Sequence, residues 1–95
     1  MEATEKQIAD WKKKHGEVYK VTVDGKNCYL HKPDRKTLAY VSTAKDNPIR
    51  MSELMLNNCW IDGDEEIKTD DALFLGVVQQ MGALISIKQA ELVKL

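Results

Sequence analysis

A chain of 95 residues is long enough to bury one hydrophobic core without disulfides or metal ions, and it is too short for several such domains. Its 43% apolar and 31% charged residues exclude a disordered or fibrous protein and indicate an ordinary globular one. The net charge is −1, but residues 1–50 carry 11 basic and 7 acidic side chains (+4), whereas residues 51–95 carry 3 and 8 (−5). We expect a single domain, residues 1–95, with a basic and an acidic half. Each half is most simply a solvated surface, because that is what a run of charged residues usually forms.

The sequence predicts a cytoplasmic protein without a membrane span. The first fifteen residues are charged throughout and lack the apolar stretch of a signal peptide. The most apolar run, residues 72–87, is interrupted by Gln79 and Gln80 and is shorter than the roughly 20 apolar residues that cross a bilayer. Cys28 and Cys59 have no C-x-x-C spacing, so we expect buried free thiols.

The first predicted helix covers about Glu5 to His15. Thr4 and Gln7 have the spacing of a capping box, which places the start of the helix. Its apolar face is thin and consists essentially of Ile8 and Trp11. We therefore expect this helix to lie across the surface, held by the indole ring.

The strongest local prediction is a β-hairpin over residues 17–33. Apolar and polar residues alternate on both sides of Asp24-Gly25, as they do in two paired strands joined by a turn. The apolar face consists of Tyr19, Val21, Cys28 and Leu30, and the other face of Lys20, Thr22, Asn27 and Tyr29. A two-residue turn and a four-residue loop give the same faces, so the register stays open. A lone hairpin is marginal in water, so helices must cover its apolar face.

Three further helices are expected after the hairpin. Asp34 is placed to cap a short helix over about 35–45, and Asn47 and Pro48 are placed to start a third helix that reaches about Trp60. The acidic stretch 61–68 is interpreted as a loop. The fold class is therefore α+β, with one antiparallel β-hairpin packed against three to four α-helices.

The last predicted helix, about Asp70 to Ile87, is apolar on more than one side. Residues 88–95 either extend it or form a short tail. Two neighbouring stripes run along the helix, and one small core readily covers only one of them. We expect the other stripe to bind a partner or a second copy, and the alternative is a central helix surrounded by its own chain. The candidate partner-binding residues are Leu73, Phe74, Val77, Val78, Met81 and Ile85.

No arrangement of residues indicates catalysis, a cofactor or a metal. The acidic stretch has Ile67 and Leu73 where a calcium-binding EF-hand loop requires Gly and Glu. The two histidines and two cysteines match no zinc spacing. The serines lack a nucleophile-elbow context, and the glycines form no phosphate-binding loop. We expect a protein without enzymatic activity.

A basic surface in the N-terminal half offers an alternative function, that of a small nucleic-acid-binding or regulatory domain. Its residues would be the 12–15 run with Lys32, Arg35 and Lys36, beside the aromatic rings of Trp11, Tyr19 and Tyr29. The chain is slightly acidic overall and contains no helix-turn-helix or other reader motif, which makes nucleic acid an unlikely partner.

In the order of its segments the chain resembles the small tail assembly chaperones of long-tailed bacteriophages and prophages. The resembling segments are Trp11-Lys12, Gly16, the hairpin VYKVTVDGKNCYL, residues 32–36, LMLNNCW at 54–60, GDEE at 63–66 and the apolar C-terminal helix. The resemblance implies a non-enzymatic cytoplasmic protein. It also implies that the partner is the helical tape-measure protein, which the chaperone keeps soluble during tail assembly.

Overall fold

A three-stranded antiparallel sheet, with helices on both of its faces, organises the chain. A computed structural model describes residues 2–82 and 90–95. The elements in chain order are α1 (Glu5–His15), β1 (Val18–Val23), β2 (Lys26–His31), α2 (Arg35–Ser42), α3 (Pro48–Cys59), β3 (Trp60–Gly63), α4 (Glu66–Thr69) and α5 (Asp71–Met81). The predicted α+β class, with a hairpin packed against helices, is confirmed.

The hairpin has the two-residue turn, which settles the register that the sequence left open. Tyr19 pairs with Leu30, and Val21 pairs with Cys28. Asp24 and Gly25 both have positive φ, 46° and 75°. This backbone matches the twist of the strands that it joins, and it explains why Asp-Gly occupies the turn.

The prediction of a loop over residues 61–68 was wrong. Residues 60–63 form β3, which pairs antiparallel with β2, and residues 66–69 form the short helix α4. The carboxylate of Asp64 continues the contact with β2 by accepting a hydrogen bond of 2.8 Å from the Asn27 backbone N–H. A strand of four residues is too short to show alternation in the sequence, so only tertiary pairing reveals it.

The hydrophobic core lies between the sheet and helices α3, α4 and α5. Its cluster of buried side chains consists of Cys28, Leu30, Leu56, Cys59, Ile67, Leu73, Val77 and Met81. Both cysteines are free thiols, as predicted. Burial raises the pKa of each thiol to about 11, which keeps both thiols protonated at neutral pH.

The second face of the sheet is also covered, although the sequence placed mostly polar residues there. Tyr29 is only 2% exposed, and its ring centroid lies 5.1 Å from that of Trp11 on α1. The hydroxyl of Tyr29 accepts a hydrogen bond of 2.9 Å from the Ala3 backbone N–H. Helix α1 therefore docks through its indole, as predicted, and β2 is buried on both faces.

Most helix boundaries agree with the sequence. Asp34, Asn47 and Asp70 each cap a helix by accepting a backbone N–H, and α2 ends at Ser42, a few residues earlier than predicted. No helix in the described ranges is long and apolar enough to cross a bilayer. The predicted extension of the last helix falls on residues that the structure does not describe, and residues 90–95 are exposed with neither helix nor strand.

The end of α1 carries a histidine pair that makes stability depend on pH. The rings of His15 and His31 stack with centroids 4.6 Å apart. Desolvation lowers the pKa of His15 below its ordinary value of 6.5, and the charges of His31 and Lys14 lower it further. The folded protein therefore binds fewer protons than the unfolded chain in this range. The stability that neutral His15 contributes is fully present above pH 6.5. It is lost as the pH falls through the lowered pKa of His15.

We expect the melting temperature to fall slightly between about pH 8 and about pH 5, where free histidines titrate. The effect is small because His15 is exposed. In the His15→Asn variant this step should disappear. The acid-induced loss caused by carboxylates with lowered pKa, such as Glu2 and Glu17, should remain at lower pH. Thermal melts followed by circular dichroism measure both, and an unchanged pH profile in the variant would contradict the assignment.

Candidate functional site: a groove between two helices

An open groove of about 550 Å³ lies between α3 and α5, which contact each other. Eight residues from three helices line it: Ile49, Glu53, Leu56, Asn57, Lys68, Asp71, Phe74 and Leu75. The volume is within the range of small-molecule sites, but the groove is open along the surface, and its walls are two helices. We call it the α3–α5 groove.

One wall is a single face of α3. Ile49, Glu53, Leu56 and Asn57 are spaced i, i+4, i+7 and i+8, which places them on one side of a helix. Eight residues rise about 12 Å at 1.5 Å per residue, so the wall is about two turns long. The cap by Asn47, whose side chain accepts the Arg50 backbone N–H at 3.1 Å, fixes where this face begins.

The other wall is the beginning of α5. Asp70 caps this helix by accepting the Leu73 backbone N–H at 3.1 Å. Leu73 and Val77 anchor the inner side of α5 in the core, which turns Leu75 outward. Leu75 is 47% exposed, and Ile49 on the facing wall is 53% exposed. Large apolar side chains exposed together in a concave surface are typical of an interaction site.

Two charged residues that line the groove, Glu53 and Lys68, have partners outside the lining. Arg50 donates to the Glu53 carboxylate at 3.3 Å on the rim. The Lys68 ammonium lies 4.3 Å from the centroid of the Trp60 ring and 3.9 Å from the carboxylate of Glu65. The lining is therefore mixed, because Ile49, Phe74 and Leu75 stand beside the polar side chains of Glu53, Asn57 and Asp71.

The structure places the predicted binding residues at different sites. Leu73, Val77 and Met81 belong to the core, and Phe74 lines the α3–α5 groove. Val78 packs against the core and borders a smaller hollow of about 160 Å³, which is lined mainly by methionines and valines. Ile85 lies outside the described residues. Of the five predicted residues that the structure describes, only Phe74 lines the groove.

Two groove residues, Ile49 and Leu75, were missed in the sequence. Leu75 is not among the candidate residues predicted for the last helix, and it points away from Leu73 and Val77. A large apolar residue opposite an otherwise complete core face is the signal that finds it. A Cβ at Gly76 would lie 2.8 Å from the side chain of Val23, so this glycine allows a close approach of α5 to β1 of the same chain.

The other candidate sites are a metal site and a nucleic-acid-binding surface, and the described residues support them less. Among residues 2–82 and 90–95 no three histidine, cysteine, aspartate or glutamate side chains form a group that could hold a metal ion. On the basic side of the molecule, the rings of Trp11 and Tyr29 pack on each other, and Tyr29 is buried. Lys20 and Lys32 are paired at 2.7 Å with Glu2 and Glu17.

Comparisons with known proteins add no assignment. No family model, curated protein or solved structure matches the chain.

Proposed function

We propose that this protein is a non-enzymatic tail assembly chaperone of a long-tailed bacteriophage or prophage, which acts in the host cytoplasm. Its partner is the tape-measure protein, and the α3–α5 groove binds a helical segment of that partner. The observation that carries the proposal is the exposure of Ile49 and Leu75 on facing walls of one groove. The order of the sequence segments supports the choice of family.

The dimensions of the groove favour a helix as the ligand. A bound helix presents anchors at positions i, i+3 or i+4, and i+7, which span about 10.5 Å. The wall formed by α3 is about 12 Å long, so two turns of a helix fill it. The anchors would contact Ile49, Phe74 and Leu75, and Leu56 forms the floor.

The mechanism of such a chaperone is to cover an apolar stripe until the partner's own assembly covers it. A long helical protein exposes apolar stripes before it is packed, and exposed stripes lead to aggregation. A groove only two turns long buries little area, and small interfaces favour weak, reversible binding. Release during assembly then needs no chemical step.

The proposal predicts that a tape-measure segment remains soluble only together with this protein. The segment should come from the long, coiled-coil-rich reading frame expected directly downstream of the gene. Co-expression followed by centrifugation and affinity purification of the segment measures the effect, with the segment expressed alone as the control. If the segment sediments equally with and without the chaperone, the proposal is wrong.

A further inference from the structure

The first strand, β1, forms one edge of the sheet. The strand order is β1-β2-β3, so β1 pairs with β2 on one side only. Because the turn has two residues, Val23 exchanges both backbone hydrogen bonds with Lys26, and this pattern alternates along the strand. The backbone groups of Val18, Lys20 and Thr22 therefore point away from β2. Within the part of the chain that the structure describes, no other backbone group bonds to this edge.

The apolar side chains of β1 are only partly covered by their own chain. Tyr19, Val21 and Val23 pack against the core cluster, yet all three remain half-buried. Their neighbours on β2, Cys28 and Leu30, are completely buried. The core thus ends at β1 with apolar surface still open beside a row of free backbone donors and acceptors. An edge of this kind is a template for a strand from another chain.

We propose that a second copy of the chain pairs with this edge, β1 against β1 in antiparallel orientation, so that two three-stranded sheets become one sheet of six strands. A two-fold axis at Val21 sets the register. Val21 then lies opposite Val21 of the second copy, and Tyr19 lies opposite Val23. Each half-buried apolar side chain of β1 gains an apolar neighbour across the axis.

The polar face of β1 is complementary to itself in the same register. Lys20 lies opposite Thr22 of the second copy, and the two-fold axis repeats this pair. Both residues direct their backbone groups outward, so each pair is hydrogen-bonded. The ammonium of Lys20 is already compensated at 2.7 Å by the carboxylate of Glu2. An axis one residue earlier, at Lys20, would instead place two lysines directly opposite each other, which is destabilising.

The inference goes beyond the proposed function and is independent of it. No residue of β1 lines the α3–α5 groove, so pairing at this edge leaves the groove of each copy open.

Hydrogen exchange followed by NMR at increasing protein concentration tests the pairing. In the monomer the amides of Lys20 and Thr22 face solvent and exchange quickly, whereas β2 protects those of Val21 and Val23. We expect the first two amides to become protected as the concentration rises. Sedimentation velocity should then show a particle of twice the 10.8 kDa chain. A strict monomer, or exchange of Lys20 and Thr22 that ignores concentration, overturns the inference.

Two substitutions at Thr22 test the register with opposite signs. Thr22→Lys places like charges opposite each other at both pairs with Lys20, whereas Thr22→Glu places opposite charges there. Both variants lose the same hydrogen bond of 2.8 Å to the Asn27 side chain, so this loss is common to them. At low salt the dissociation constant of the dimer should be at least about tenfold larger for Thr22→Lys than for Thr22→Glu. The ratio should shrink as salt is added.

Thr43→Lys and Thr43→Glu are the matched controls. Thr43 is exposed at the end of α2, outside the sheet, and the two substitutions change the net charge in the same way. Their dissociation constants should agree within about threefold. Circular dichroism confirms that all four variants are folded. Equal association of the two Thr22 variants, or the same ratio at Thr43, overturns the pairing at β1.

The remaining outcomes separate this inference from the proposed function. A dimer that persists in Thr22→Lys and is lost in Leu75→Glu would place the second copy in the α3–α5 groove and overturn the inference. Protection of the β1 edge by a tape-measure segment instead of a second copy would also overturn it. If the dimer forms as described and no tape-measure segment binds, the proposed function fails while the inference stands.

Discussion

Replacing Gly63 with alanine is expected to lower the free energy of unfolding by about 1 to 3 kcal/mol or more, as overpacking of a close contact does. A Cβ at this position would lie 2.6 Å from the Cα of Cys28 and 2.8 Å from the backbone oxygen of Asn27. Backbone atoms of a central strand cannot move aside as a flexible side chain can. The variant must therefore separate β3 from β2, and it loses the pairing that holds α4 over the core.

Gly82→Ala is the matched control, because a Cβ there would meet no atom of residues 2–82 or 90–95 within 4 Å. Gly82 follows α5 with helical dihedral angles, so alanine should leave stability unchanged or raise it by up to about 1 kcal/mol. Urea titrations of both variants measure the difference. A Gly63→Ala protein as stable as the wild type would show that β3 does not pack against β2 as described.

Leu75→Glu is expected to weaken binding of the tape-measure segment by about 2 kcal/mol, or roughly 30-fold, as loss of an apolar anchor in an interface does. The carboxylate would stand among the apolar residues of the groove and face the partner's stripe. Because Leu75 is 47% exposed, the free energy of unfolding should change by no more than about 0.5 kcal/mol. Calorimetric titration and urea unfolding measure the two effects separately.

Tyr40→Glu provides the control for Leu75→Glu. Tyr40 is a large exposed side chain on α2 and does not line the groove. The same added charge at this position should leave the affinity unchanged. An equal loss of affinity in both variants would mean that net charge, and not the α3–α5 groove, controls binding.

Val78 is one of the binding residues predicted from the sequence, but Val78→Glu tests a different property. Val78 is half-buried and packs against the core cluster, so a carboxylate there disturbs the fold together with any surface. The groove adds a second candidate surface on the same helix, on the side that carries Leu75. Two apolar stripes side by side on one helix do not reveal which of them meets the sheet.

Local signals in the sequence were sufficient for most of the fold. Asp24-Gly25 permits the positive φ values of a tight turn, and Asp34, Asn47 and Asp70 each precede a helix that their side chains cap. These features depend on a few neighbouring residues, so they can be predicted without tertiary contacts.

The third strand and the groove depend on contacts between distant residues. Trp60–Gly63 becomes a strand because Gly63 lies directly against Cys28, more than thirty residues earlier. The groove exists because the face that begins at Ile49 and the face that ends at Leu75 meet across the core. Neither helix alone carries a pattern that indicates this meeting.

Hydrogen–deuterium exchange of the protein, with and without a tape-measure segment that co-purifies with it, tests most directly whether the α3–α5 groove is the binding site. We predict slower exchange on binding in α3, residues 48–59, and at the beginning of α5, residues 71–75. Exchange in α1 and β1 should not change. Protection confined to the basic helix α1, or no protection in either wall of the groove, would contradict the assignment of this site.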